Sequence, residues 1–295
     1  MKTRRAAALV LGVAATACRS SLIEFGNQPV SPLESPNPSA AATVELGPPT
    51  IAAPVGFSYA VVWVEEALAV RQPAGITSSE VASLPADQRG LGVTGQSTLL
   101  GSSTWLEIFL PEGGTGWVNG YNLTEDVGPE AFCKDPRPAD LANRFINALQ
   151  GESGEQLAQL ASPKRGLIVR HDWWNPEVVT EPGGLSHLFQ DASELDWGIN
   201  RDSGLSITGS FGAVILPQLL DVFSVAPAFS CNRLATGSTA EEVAWPSEYT
   251  NLNFISFHRA APSPSSLNWR TWALGIEYVN GSPYLAVMVQ YRGEI

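Results

Sequence analysis

The chain is short of the features that announce chemistry. It has 295 residues, but only three histidines and three cysteines. His171, His187 and His258 are not at metal-binding spacing, and no His-Glu-x-x-His run places two imidazoles on one helix face. No Gly-x-Ser-x-Gly elbow offers an activated serine. The glycine-containing stretch from Gly204 to Gly212 has no lysine to reach a phosphate. The acids Asp191, Glu194, Asp196 and Asp202 cluster, but Arg201 stands where a calcium loop counted from Asp196 needs its turn glycine. No metal and no cofactor are therefore expected. Basic residues are also few, with Lys+Arg at 17 against Asp+Glu at 29 and a net charge of −12. That balance repels phosphate backbones and excludes a nucleic-acid partner. It equally excludes a polybasic grip on anionic lipid. The one sustained apolar run, Ala6 to Ala15, falls short of the ~20 residues that span a bilayer.

That run is informative in another way. It follows Lys2, Arg4 and Arg5 and has the length of a signal-peptide core. It ends in Ala15-Thr16-Ala17-Cys18, small residues followed by a cysteine, which resembles the lipobox of bacterial lipoproteins. The resemblance implies a signal peptide over residues 1–17, cleavage before Cys18, and a lipid (palmitate among its acyl chains) on Cys18. Each buried methylene of such a chain contributes ~0.8 kcal/mol to membrane attachment. The implied localisation is extracytoplasmic, with the membrane as partner through that lipid. Loss of the leader removes three basic residues and no acid, which deepens the net charge to −15. Cys133 and Cys231 then remain as a pair, expected to form a disulfide in an oxidising compartment, with two buried thiols as the alternative. Residues 18–56 hold Pro29, Pro32, Pro36, Pro38, Pro48, Pro49 and Pro54 among Ser, Ala and Asn. Such a composition buries too little apolar surface to offset its ordering entropy, so a disordered, stiffened linker is expected.

Beyond Phe57 the pattern turns to short strands separated by Gly/Pro turns, which points to a small β-barrel. The strands expected are Tyr59–Val64, Ala67–Arg71, Leu91–Gly95, Trp105–Leu110 and Thr115–Val118, with a turn at Pro111–Gly114. Trp105, the Pro111–Gly114 turn, Gly116-Trp117-Val118 and Tyr121-Asn122-Leu123-Thr124 together resemble the bacterial SH3 domains, over residues 57–127. That family implies an aromatic-lined groove that docks a cell-wall polymer or a peptide. The segment Ala69 to Gly75 stands where the family's groove-bordering loop does. Trp63, Arg71 and Tyr121 are accordingly the ligand-binding candidates. Trp105 and Trp117 read as core, since a tryptophan inside a small barrel buries a large area.

Residues 127–131 read as a hinge, and residues 132–295 are long enough for one further core. Pro138 opens a helix that places Leu141, Phe145, Ile146 and Leu149 on one face, and Gly151 stops it. Ser153 caps a second helix. A strand is expected at Leu167–Arg170 and another at Phe254–His258. A helix is expected over Phe211–Phe223, kinked at Pro217. Asn280-Gly281 signals a long closing hairpin. The class expected overall is mainly β plus α+β: an SH3-like barrel followed by an α+β domain similar, by fold-level analogy, to the NTF2-like cone. Ser162-Pro163-Lys164-Arg165-Gly166, Trp197-Gly198, Asp202-Ser203-Gly204 and Asn268-Trp269-Arg270 also resemble a domain found beside bacterial SH3 domains in exported proteins. Trp173 and Trp174, read as adjacent strand residues on opposite faces, complete the ligand-binding candidates. The function expected is a lipid-anchored binding or scaffolding protein without catalysis. The alternatives are a cell-envelope hydrolase targeted by the barrel, with His171, Asp172 and Asp196 as its nearest approach to an acid–base set, and a small-molecule sensor.

Overall fold

Period-two burial builds the first sheet. A computed structural model describes residues 56–225, 227–237, 242–263 and 266–293; the expected signal peptide, Cys18 and the expected linker as far as residue 55 lie outside the described residues. The strands are β1 (Tyr59–Val61), β2 (Ala67–Gln72), β3 (Ser79–Pro85), β4 (Val93–Leu100), β5 (Ser103–Phe109), β6 (Thr115–Asn119) and β7 (Leu123–Glu125). β2 to β6 form one sheet in the order β3-β2-β6-β5-β4, and β1 pairs antiparallel with β7. Leu68 and Val70 of β2, Ile108 of β5 and Val118 of β6 turn to the same core as Val61, Leu91 and Leu123. Alternate residues face water, as the pleat requires. Trp105 is buried and Trp117 half-buried. Among the described residues β3 and β4 are the edges of this sheet, so it is open where the sequence pattern predicts a closed barrel.

Two local devices shape the rim of that sheet. Gly113 and Gly114 both take positive φ, 98° and 87°, in the turn between β5 and β6, a conformation that costs glycine no Cβ clash. After β6, Asn119 accepts a hydrogen bond from the Tyr121 amide and caps the 3-10 turn Gly120–Asn122. A Cβ on Gly120 would lie 2.8 Å from the Thr104 carbonyl, so glycine lets this turn press against β5.

The chain then enters helices α1 (Pro129–Lys134), α2 (Arg137–Gln150) and α3 (Gly154–Leu160). Pro129 occupies the first turn of α1, so the expected hinge is the start of a helix. Leu141, Phe145, Ala148 and Leu149 form the buried stripe of α2. Ser153 caps α3 by accepting from the Gln156 amide at 3.3 Å. Strands β8 (Leu167–Arg170), β9 (Val178–Thr180), β10 (Leu195–Ile199) and β11 (Ser206–Gly209) follow, then α4 (Phe211–Val214) and α5 (Leu216–Phe223). The single kinked helix expected here is two helices. Pro217 sits in the first turn of α5, where its missing N–H has no intrahelical acceptor to lose. Trp173 and Trp174 lie in a turn after β8 rather than on a strand, so strand alternation does not apply to them.

Strands β12 (Ala228–Cys231), β13 (Asn253–Arg259), β14 (Arg270–Val279) and β15 (Ser282–Arg292) complete a six-stranded sheet, ordered β12-β13-β14-β15-β8-β9. All its pairs are antiparallel except β15 with β8. Asn280 (φ 52°) and Gly281 (φ 73°) make the turn of the β14–β15 hairpin, both in the left-handed region that a two-residue turn demands. β14 is buried along nearly its whole length because both faces of the sheet are covered. On one face Trp272, Leu274, Ile276 and Tyr278 share a core with Phe145, Leu149, Leu219 and Phe223 of the helices. On the other, Ala273, Val287, Val289 and Tyr291 meet Tyr249, Leu252 and Trp269, joined by Val62 from the end of β1. Cys133 of α1 and Cys231 of β12 are joined as a disulfide, their Cα atoms 5.8 Å apart. The described chain is thus a mainly β, α+β protein with two principal sheets.

Candidate binding cleft

The loop before β8 turns one arginine into the interior. Ser162 Oγ accepts from the amides of Lys164 (3.1 Å) and Arg165 (3.0 Å) and donates to Glu277 of β14. Gly166 closes the loop at φ 73°; a Cβ there would lie 2.0 Å from the Thr180 carbonyl. Arg165 Nε donates to Glu277 Oε2 at 2.8 Å. One terminal nitrogen donates to the Tyr121 carbonyl and the other to the Leu123 carbonyl, the latter at 2.9 Å. The guanidinium lies 3.9 Å from the Trp63 ring centroid and 4.5 Å from that of Tyr121. The side chains of Arg165 and Glu277 are 0% and 1% exposed. Burial by itself would push the Glu277 carboxyl up. The charges of Arg165 and Lys164 and the Ser162 hydroxyl outweigh burial and hold it below its ordinary value.

Beside this pair a cleft of about 610 Å³ opens between the first sheet and the β8–β9 region. Ser103 and Thr104 of β5, Asn119 and Tyr121 of the capped turn, Lys164, and Glu181 after β9 line it. Tyr121 is 37% exposed. Burial, opposed by the Arg165 charge, raises its phenol above the ordinary value. Lys164 is exposed as a residue, and its amine donates to the Leu123 carbonyl at 2.6 Å in a part-buried bond. Burial first, and then the neighbouring Arg165 charge, lower the amine to about 7; Glu277 and Glu125 act in the opposite direction. An exposed aromatic face, hydroxyls, an amide and an amine suit a polar, extended ligand better than an apolar one.

The sequence-derived binding candidates do not all meet here. Trp63 and Tyr121 converge, ring centroids 6.2 Å apart. Trp63 backs Arg165 and also packs on Tyr249, centroids 5.3 Å apart, so much of its surface is spent on structure. Arg71 is in the other part of the first sheet, paired with Trp117 and donating to the Ser78 carbonyl at 2.7 Å. Trp173 packs against the second core, and its carbonyl accepts from Arg170. Trp174 faces the Arg201 guanidinium at 5.7 Å. None of Trp63, Arg71, Trp173 and Trp174 lines the cleft; Tyr121 alone of the five candidates does. Ser162, Lys164, Arg165, Glu181 and Glu277 carry the geometry but were not singled out from sequence for any chemistry.

His171, Asp172 and Asp196 are likewise away from the cleft. Asp172 accepts from Arg292 Nε at 3.1 Å and from the Trp173 amide at 2.9 Å. Asp196, on β10, accepts from the Gly198 amide. His171 is buried with Nε2 2.9 Å from the Gln218 side-chain nitrogen. Burial, followed by the charges of Arg292 and Arg270, lowers its imidazole to about 4. No family model matches the chain, and neither a curated protein nor a solved structure matches it.

Two outcomes follow from these environments. Arg165→Met leaves Glu277 buried without its counter-charge and should destabilise the fold by ~3–5 kcal/mol in urea denaturation. Adding Glu277→Leu removes the stranded charge and should recover part of that loss; a single variant as stable as wild type would contradict the role assigned to the pair. His171 titrates lower in the folded chain than its ordinary 6.5, so the unfolded chain binds more protons between those values. The His171 contribution to stability should be full above pH 6.5 and fall as the pH drops towards about 4. His171→Gln should flatten that part of the stability–pH profile, measured by thermal melts; an unchanged slope would contradict it.

Proposed function

We propose that this chain is a lipid-anchored extracytoplasmic binding or scaffolding protein that docks a cell-wall polymer or a peptide without turning it over. In this reading Cys18 carries the lipid and residues 18–56 hold the folded part clear of the membrane. Residues 57–127 act as a module similar to bacterial SH3 domains. Residues 132–295 form an α+β module similar to the NTF2-like cone.

The observation that carries the reading is the cleft beside Tyr121. An exposed phenol ring beside Ser103, Thr104 and Asn119 supplies a stacking surface and hydrogen-bonding groups together. That combination suits a glycan or an extended peptide. Further support comes from the leader-like pattern of residues 1–17 ahead of Cys18 and from the Cys133–Cys231 disulfide, which suits an oxidising compartment. Among the described residues no helix is long and apolar enough to cross a membrane.

Cosedimentation with purified cell-wall sacculi tests the binding half. Tyr121→Ala should weaken binding by about tenfold, the scale of one lost aromatic contact, while leaving the circular dichroism spectrum unchanged. Equal sedimentation of both proteins would remove the cleft from the account. Fractionation tests the anchor. Cys18→Ser should move the protein from the membrane to the soluble fraction, and unchanged partitioning would remove lipidation.

A further inference from the structure

Lysine is the scarcest cation in this chain, at positions 2, 134 and 164 only. Lys134 is an ordinary surface residue: its side chain is 74% exposed and paired with Glu130 one helical turn away. Lys164 is placed differently. It lines the cleft, remains open to solvent, and has no carboxylate partner within salt-bridge distance among the described residues. The two acids whose charges favour its protonation are already engaged. Glu277 is held by Arg165 and Ser162, and Glu125 accepts from the Gly281 amide at 2.8 Å.

The bond to Leu123 fixes what the amine can do. A neutral amine has two N–H groups and one lone pair. Donation to the Leu123 carbonyl at 2.6 Å positions the nitrogen and leaves the lone pair uncommitted. The same carbonyl accepts from Arg165 at 2.9 Å, so a full positive charge on Lys164 would face a guanidinium across a shared oxygen. The charged and titratable groups around the amine are Arg165, which opposes its protonation, Glu277 and Glu125, which favour it, and Glu181 and Tyr121 on the cleft wall. Burial and Arg165 prevail, bringing the amine to about 7, so a large share is unprotonated at neutral pH.

We propose that Lys164 is a nucleophilic amine that captures a polyhydroxylated carbonyl compound in this cleft as an imine. The nitrogen lone pair attacks the carbonyl carbon, and the carbonyl electron pair moves to oxygen. That oxygen takes one proton from nitrogen and one from solvent and leaves as water. The iminium returns a proton to solvent and rests as the neutral imine, the form that burial and the Arg165 charge favour. No oxidant or reductant is consumed. Ser102, Ser103, Thr104 and Asn119 supply hydrogen-bonding groups for the hydroxyls of such a ligand, which include those of the open-chain end of a sugar. The proposal rests on this cleft being the binding site.

The test uses the full chain, glyceraldehyde as the probe, and cyanoborohydride to trap the imine, with modification at each lysine quantified by peptide mass spectrometry. Lys134 is the internal control. At about pH 7.5 Lys164 should be modified at least about tenfold faster than Lys134, because its larger unprotonated share outweighs its lower basicity. Its rate should level off above neutrality while that of Lys134 keeps rising. Equal or faster reaction at Lys134, or an unmodified Lys164, would overturn the proposal. If Lys164 stays unmodified but the protein still sediments with cell-wall sacculi, imine capture fails and the binding function stands. If Lys164 reacts selectively but sedimentation is absent, the binding function fails instead.

Discussion

The guanidinium of Arg165 is the point at which the two principal sheets become one structure. Its three nitrogens are distributed between Glu277 in the long β14 strand and the carbonyls of Tyr121 and Leu123 at the end of the first sheet. Removing an arginine and a glutamate from water costs several kcal/mol per ion, and attraction alone rarely compensates. Here every surrounding feature reduces that penalty. The carboxylate has a second donor in Ser162, the guanidinium has two carbonyl acceptors, and its flat faces rest on Trp63 and Tyr121. A pair this fully coordinated specifies one arrangement of the two sheets and disfavours others in which either charge is stranded.

The other links between the sheets are consistent with that arrangement. Asn251 donates to the carbonyls of Val61, Ala86 and Gln88, Glu125 accepts from the turn of the β14–β15 hairpin, and Val62 is buried in the second core. Tyr121 is held from below by its own carbonyl's bond to Arg165 and from the side by the Asn119 cap. Lys164 is tied to Leu123, the residue that Arg165 also holds. The groups that would meet a ligand therefore depend on a buried ion pair, of which Arg165 borders the cleft and Glu277 lies behind it.

Much of the local structure is legible in the sequence, because short-range physics decides it. The apolar stripe of α2, the Ser153 cap and the Asn280-Gly281 turn each follow from residues within a few positions of one another. Pro217 shows where that approach thins out. A proline inside an apolar stretch can kink one helix or begin another, and the choice depends on how the packing of Phe211 and Leu216 divides the segment. The cleft depends on contacts far apart in the chain. Arg165 and Glu277 are 112 positions apart, and Tyr121 lies 44 positions before Arg165. Nothing in either neighbourhood marks them as partners. Ser162-Pro163-Lys164-Arg165-Gly166 stood out as a motif, but its meaning depends on what the fold brings opposite it. Trp173 and Trp174 are a conspicuous pair in the sequence, but a turn, not a strand, carries them.

The most direct test of the account is native-state hydrogen exchange on wild type and Arg165→Met. In wild type the most protected amides of β5 and β6 and those of β13 to β15 should exchange with the same opening free energy, because the two sheets unfold together. In Arg165→Met the first sheet should open at a distinctly lower free energy than the six-stranded sheet. Separate opening of the two sheets in wild type, unchanged by the substitution, would contradict the central role assigned to this arginine.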